Sequence, residues 1–145
     1  MSFAVDVNIL VHAVHPRSAR FEAARAFLEA KAVGPELFCL AWITALSYLR
    51  LVTHAGVLGV PLAPASALNG LRSLIGQPHV RMLSEREGFL DAYERVTAGQ
   101  VVRGKLVPDA HLAAILFQHG VRTLYTADRD FRRFDFLDVR DPYAG

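Results

Sequence analysis

Four short apolar or β-branched runs, Phe3 to Val7, Leu37 to Leu40, Val80 to Leu83 and Thr123 to Thr126, are separated by longer stretches whose apolar residues recur at helical spacing. Runs this short, with little polar alternation, suit strands covered on both faces, so the pattern predicts a parallel sheet buried between helices. Phe21, Ala24, Phe27 and Leu28 mark an amphipathic helix within 18–32, with Arg20, Glu22, Arg25 and Glu29 turned elsewhere. Further helices are expected over 43–52, 65–75 and 85–98, a tight turn or short helix over 128–134, and a last edge strand over 137–140. The expected fold class is α/β, a three-layer α/β/α sandwich with a mainly parallel central sheet.

Pro108 suits the first turn of one more helix, and Asp109 beside it places a carboxylate where the helix dipole favours negative charge. Ala110 and Leu112 to Phe117 then leave little polar surface, so this helix is expected at the centre, stopped by Gly120. Phe38, Trp42 and Phe117 lie in apolar runs and are expected in the core. With 145 residues, 52% of them hydrophobic and 21% charged, the chain has the material for one packed interior, and no repeat or linker divides it. A single domain over 1–145 is expected.

The formal charge of +2 is too small to announce a nucleic-acid partner, so any basic face must come from the distribution of charge. The lone Cys39 has no partner for an internal disulfide and reads as a buried, reduced thiol. Asp6 interrupts the apolar N-terminus, no basic residue precedes it, and the stretch does not read as a signal peptide. With no apolar run long enough to span a membrane, a soluble cytoplasmic protein is expected.

The chemistry is expected from aspartates. Ligands of open parallel sheets collect beyond the C-terminal ends of the strands, and helix N-termini open on that same edge. Asp6 and Asp128 follow apolar strands, and Asp109 begins a helix on the same sheet, so the three are expected to converge although the chain separates them widely. Carboxylates at close quarters repel one another, and a hard divalent cation, Mg²⁺ or Mn²⁺, relieves that repulsion. Such an ion readies water for attack on a phosphodiester. Asp6 as a phosphoryl-accepting nucleophile is the weaker reading, because Asn8 stands where a second acid would be needed.

Three segments, FAVDVNILVHAV, LSYLRLVTH and LVPDAHLAAILFQHGVRTLYTADRDFRRF, together resemble the PIN-domain ribonuclease toxins of the VapC type, and the likeness runs along essentially the whole chain. The resemblance implies a metal-dependent endoribonuclease acting on RNA, the toxin of a toxin–antitoxin pair, with a cognate antitoxin and homodimeric assembly. It assigns Asp6, Asp109 and Asp128 to metal binding and catalysis, Asp130 as an additional metal-binding acid, and Asn8 and Thr126 to support of the site. Asn8 also has a local reading as the cap of the helix that follows.

One position departs from the family pattern. Where a glutamate usually stands three residues before the arginine of the central helix, this chain has Ser47, whose neutral, short side chain cannot replace a carboxylate ligand and is expected to support the site by holding a metal-bound water. A PIN-like module that binds an antitoxin or RNA without cutting is therefore the alternative. Arg50, Arg103, Lys105 and Arg129 are expected to contact RNA phosphates, with Arg132 and Arg133 completing a basic rim. The six histidines share no zinc-site spacing and are expected to pack structurally, His111 among them.

Overall fold

The computed structural model describes residues 1–144. The sheet has five strands, all parallel, in the order β3-β2-β1-β4-β5. The strands are β1 (Ser2–Val5), β2 (Leu37–Ala41), β3 (Val80–Leu83), β4 (Thr123–Tyr125) and β5 (Asp138–Arg140). Between β1 and β2 lie helices α1 (Val7–His12) and α2 (Phe21–Val33). Between β2 and β3 lie α3 (Trp42–Val52), α4 (Ala55–Leu58) and α5 (Pro64–Ile75), and between β3 and β4 lie α6 (Phe89–Val96) and α7 (Leu106–Gln118). A 3₁₀ turn, Arg129–Arg133, leads into β5.

Strand alternation sorts the interior into two layers. Phe3, Val5, Phe38 and Leu40 face α1, α2, α3 and α5, whereas Ala4, Cys39, Ala41 and Leu124 face α6 and α7. Phe3 pairs with Phe38 across β1 and β2, and their rings stack at 5.1 Å. The chain steps outward from β1 to β3, then crosses to the far side of β1 for β4. Because parallel crossovers are right-handed, the reversal puts α6 and α7 on the opposite face. The three-layer sandwich expected from the sequence is thus formed.

Helix α7 is the centre of its layer, with Ala110 and Leu112 to Leu116 all buried. It ends where the sequence places its stop. Gly120 takes φ +68°, the Gly120 amide bonds Phe117 O at 3.2 Å, and the Val121 amide bonds Leu116 O at 2.9 Å, which is a Schellman closure.

Several boundaries differ from expectation. β1 ends at Val5, and α1 begins at Val7 with Asp6 as its cap residue, so Asn8 lies inside the helix rather than capping it. Helix α6 starts at Phe89 rather than near residue 85, because Gly88 turns the chain at φ +77° just before it. Trp42, expected in the core, opens α3 at 44% exposure, since the apolar run of β2 continues into a helix whose first residue faces outward. Cys39 is a buried free thiol, as expected.

The fully buried α7 layer should dominate stability. Leu116→Ala is expected to cost about 2–5 kcal/mol in chemical denaturation, whereas Leu68→Ala, at an exposed position on α5, should cost under about 0.5 kcal/mol. Equal losses would contradict this layering.

Candidate metal centre

The strand order reverses between β1 and β4, so their connections diverge there and open a crevice at the C-terminal edge. Asp6 stands at that edge, immediately after β1, its amide held by Tyr125 O at 3.0 Å as the ladder continues past the strand. Asp128 and Asp130 leave β4 through the turn beside it. Asp109 projects from the first turns of α7.

One hydroxyl joins these pieces. Thr126 Oγ1 donates to Asp6 Oδ2 at 2.9 Å and accepts from the Asp128 amide at 3.0 Å. Asp128 Oδ1 in turn accepts from the Asp130 amide at 2.9 Å. Asp109, Asp128 and Asp130 each offer an oxygen, and these oxygens all lie within 4.8 Å of one another. Asp6 and Asp109 line a common cavity of about 250 Å³ with Ser47, Thr44 and His111. Asn8 lines a smaller one, about 90 Å³, on the Thr126 and Asp128 side of Asp6.

The electrostatics follow from this crowding. Burial pushes the Asp6 carboxyl above its ordinary value and Asp128 adds to the rise, while hydrogen bonds from Thr126 and the Val7 backbone pull it down. Asp109 is pushed up to about 6, first by burial and then by Asp128, Asp6 and Asp130, with Arg133 opposing. Hard oxygen donors that raise one another's proton affinity fit a divalent cation such as Mg²⁺ or Mn²⁺.

The basic residues are less concentrated than expected. Arg129 is exposed between the two acids of the turn, but Arg50 lies along a groove with Leu49, Thr53, Pro64 and Leu68, not in the acids' cavity. Arg103 and Lys105 are exposed on the approach to α7. The arginine whose charge reaches Asp109 is Arg133, anchored by its Nε on Asp130 O at 3.2 Å.

Two residues on the cavity wall carry more than the sequence suggested. His111, expected to pack, lines the cavity with its ring edge-on to Phe89 and Nε2 3.3 Å from Glu85 Oε2. Thr44 was not singled out at all, although it is 5% exposed. Its signal was available as the one polar residue a turn before Ser47 in an apolar helix.

The segment from residue 3 to residue 137 matches the family model described as PIN domain. The chain is 45% identical over 145 residues to a Mycobacterium tuberculosis protein named Ribonuclease VapC48, covering 100% of both. It is 28% identical over 140 residues to Ribonuclease VapC37 of the same organism, covering 97% of this chain and 96% of the other. Among solved structures, VapBC2 from Rickettsia felis, bound to a DNA fragment from its promoter, has a TM-score of 0.69 at 15% identity, covering 97% of this chain and 98% of that one. Mycobacterium tuberculosis VapC20, described as a sarcin–ricin loop cleaving toxin, has a TM-score of 0.67 at 19% identity, covering 95% and 98%. At such identities the solved structures establish the likeness of fold.

The raised Asp109 pKa has a definite sign. The folded carboxyl holds its proton more tightly than the unfolded chain, so its stabilising contribution is complete below the ordinary 3.8 and is lost as pH rises through about 6. Asp109→Asn should therefore raise the metal-free Tm at neutral pH by about 2–4 °C, after allowance for solvent screening, and the gain should vanish near pH 4. In calorimetric titration, Mn²⁺ affinity of the unaltered protein should fall about tenfold from pH 7 to pH 5, as protons compete for Asp109. A pH-independent effect of the substitution would contradict this assignment.

Proposed function

This chain belongs to the PIN-domain family and is of the VapC type, and from that premise we propose that it is an endoribonuclease, the toxin of a toxin–antitoxin pair, working at the Asp6, Asp109, Asp128 and Asp130 cluster with Mg²⁺ or Mn²⁺. The observation that carries the reading is that Asp109, from α7, offers an oxygen within 4.8 Å of those of Asp128 and Asp130, from the turn after β4, and shares a cavity with Asp6, after β1, with its carboxyl pushed up to about 6. A bound dication would offset charge on the scissile phosphate and acidify the attacking water.

The chain's own part is to hold and orient. Asp109, Asp128 and Asp130 supply the cation's oxygen ligands, and Asp6, fixed by Thr126, supplies a further acid beside Asp128. Asn8 borders Asp6 and Asp128 from the smaller cavity. Arg129 and Arg133, beside the acidic turn, are placed to draw a phosphate toward a site whose own charge is negative, while Arg103, Lys105 and Arg50 extend positive charge along the surface.

The partners follow from the same reading: an RNA substrate, a cognate antitoxin covering the acidic crevice, and a second copy of this chain. Trp42, Leu46 and Leu68 are exposed apolar residues on α3 and α5 and offer a face for that second copy. Among the described residues no helix is long and apolar enough to cross a membrane. A single domain over 1–145 in the cytoplasm completes the proposal.

A second reading has one observation in its favour. With Ser47 where the family usually carries glutamate, the alternative is a PIN-like module that binds antitoxin or RNA without cutting. Cleavage separates the two. Purified protein incubated with total RNA should cut it with Mg²⁺ or Mn²⁺ and stop on addition of chelator, and Asp6→Asn or Asp128→Asn should lower the rate roughly 100-fold. Chelator-resistant or substitution-insensitive cleavage would defeat the mechanism, and tight RNA binding without cutting would establish the second reading.

A further inference from the structure

Among the described residues the buried polar side chains are Thr44, at 5% exposure, and Thr126, at 3%. A hydroxyl withdrawn from water costs stability unless it finds partners. Thr126 finds two, Asp6 and the Asp128 amide. Thr44 forms no hydrogen bond with any described residue, not even the bond to the carbonyl one turn back that Thr53 makes to Leu49 and Thr97 makes to Tyr93. Its hydroxyl also differs from that of Tyr143, which is sealed within protein. Thr44 opens on the 250 Å³ cavity shared with Asp6 and Asp109.

Ser47 stands three residues further along α3 and lines the same cavity, so the two side chains lie on one face of the helix. The α3 wall of the cavity lined by Asp6 and Asp109 therefore carries two neutral hydroxyls, one of them, Ser47, at the position where the family resemblance places a carboxylate. A phosphate is a poor occupant of a space bounded by Asp6 and Asp109. Water around a small divalent cation is a good one, because Mg²⁺ keeps several waters and each has protons to donate. A hydroxyl oxygen accepts them.

We propose that Thr44 is a positioning residue for the divalent cation: its hydroxyl, with that of Ser47, accepts hydrogen bonds from the cation's hydration shell on the side of the cavity that α3 lines. This inference rests on the metal-dependent reading above. It accounts for an unpartnered polar group kept in an apolar helix, where valine would serve packing as well.

The test is Thr44→Val, which keeps the β-branched shape and removes the hydroxyl, with Thr44→Ser as its complement. Both are measured in the full chain by thermal melting without metal, by calorimetric titration with Mn²⁺ alone, and by RNA cleavage kinetics at limiting Mn²⁺. Thr44→Val should keep or raise the metal-free Tm, weaken Mn²⁺ binding about tenfold and lower kcat while leaving KM for RNA unchanged; Thr44→Ser should bind Mn²⁺ nearly as the unaltered protein does.

Unchanged Mn²⁺ affinity in Thr44→Val overturns the inference, whether the Tm falls, which marks a packing role, or KM rises, which marks a contact to RNA. If Thr44→Val is also unstable, Thr44→Ser decides: retained affinity supports the hydroxyl, lost affinity overturns it. Failure of the unaltered protein to bind Mn²⁺ removes the metal-dependent reading and this inference together, whereas a tight-binding protein indifferent to Thr44→Val removes this inference alone.

Discussion

The Thr126 hydroxyl, donating to Asp6 while it receives the Asp128 amide, ties the end of the first strand to the turn after the fourth. These two hydrogen bonds at a single hydroxyl are possible only because β1 and β4 are neighbours in register, Ala4 opposite Leu124 and Val5 opposite Tyr125. Strand neighbourhood in turn depends on the reversal of direction at β1, which also swings α7 to the other face and brings Asp109 to the same edge. The site is thus a product of topology, and the side chains complete what the crossover begins.

Gathering acids at one edge sets local electrostatics against stability. Asp6 and Asp109 both have their proton affinity raised by burial and by neighbouring carboxylates. The opposing contribution is distant and apolar: the aromatic layer of Phe3 and Phe38 on one face and the close-packed α7 on the other. A fold carrying such a conflict concentrates its electrostatic repulsion where a cation can relieve it, a common relation between stability and function.

Much of this was legible in the chain. Short apolar runs announced a doubly covered sheet and Gly120 announced the end of α7; of the three acids expected to converge, Asp109 and Asp128 offer oxygens within 4.8 Å of one another together with Asp130, whereas Asp6 stands outside that group, tied to the Asp128 turn through Thr126 and sharing a cavity with Asp109. What escaped depends on facing and not on residue type. Trp42 is apolar yet exposed because β2 ends just before it and the helix turns it outward. Asn8 reads as a cap until Asp6 is seen to occupy that place. Thr44 became visible only when its helix was set against the acids, since propensity says nothing about which surface a polar residue meets.

The parallel pairing of the first strand with the fourth spans a sequence separation of 120 residues at the Asp6–Thr126 bond. During synthesis, the N-terminal acid emerges early and waits for nearly the entire chain before the segment that orients it has left the ribosome. An incomplete polypeptide therefore lacks the crevice altogether. The acidic crevice takes shape only when β4 and the turn after it dock beside β1, and translation itself postpones its appearance until then.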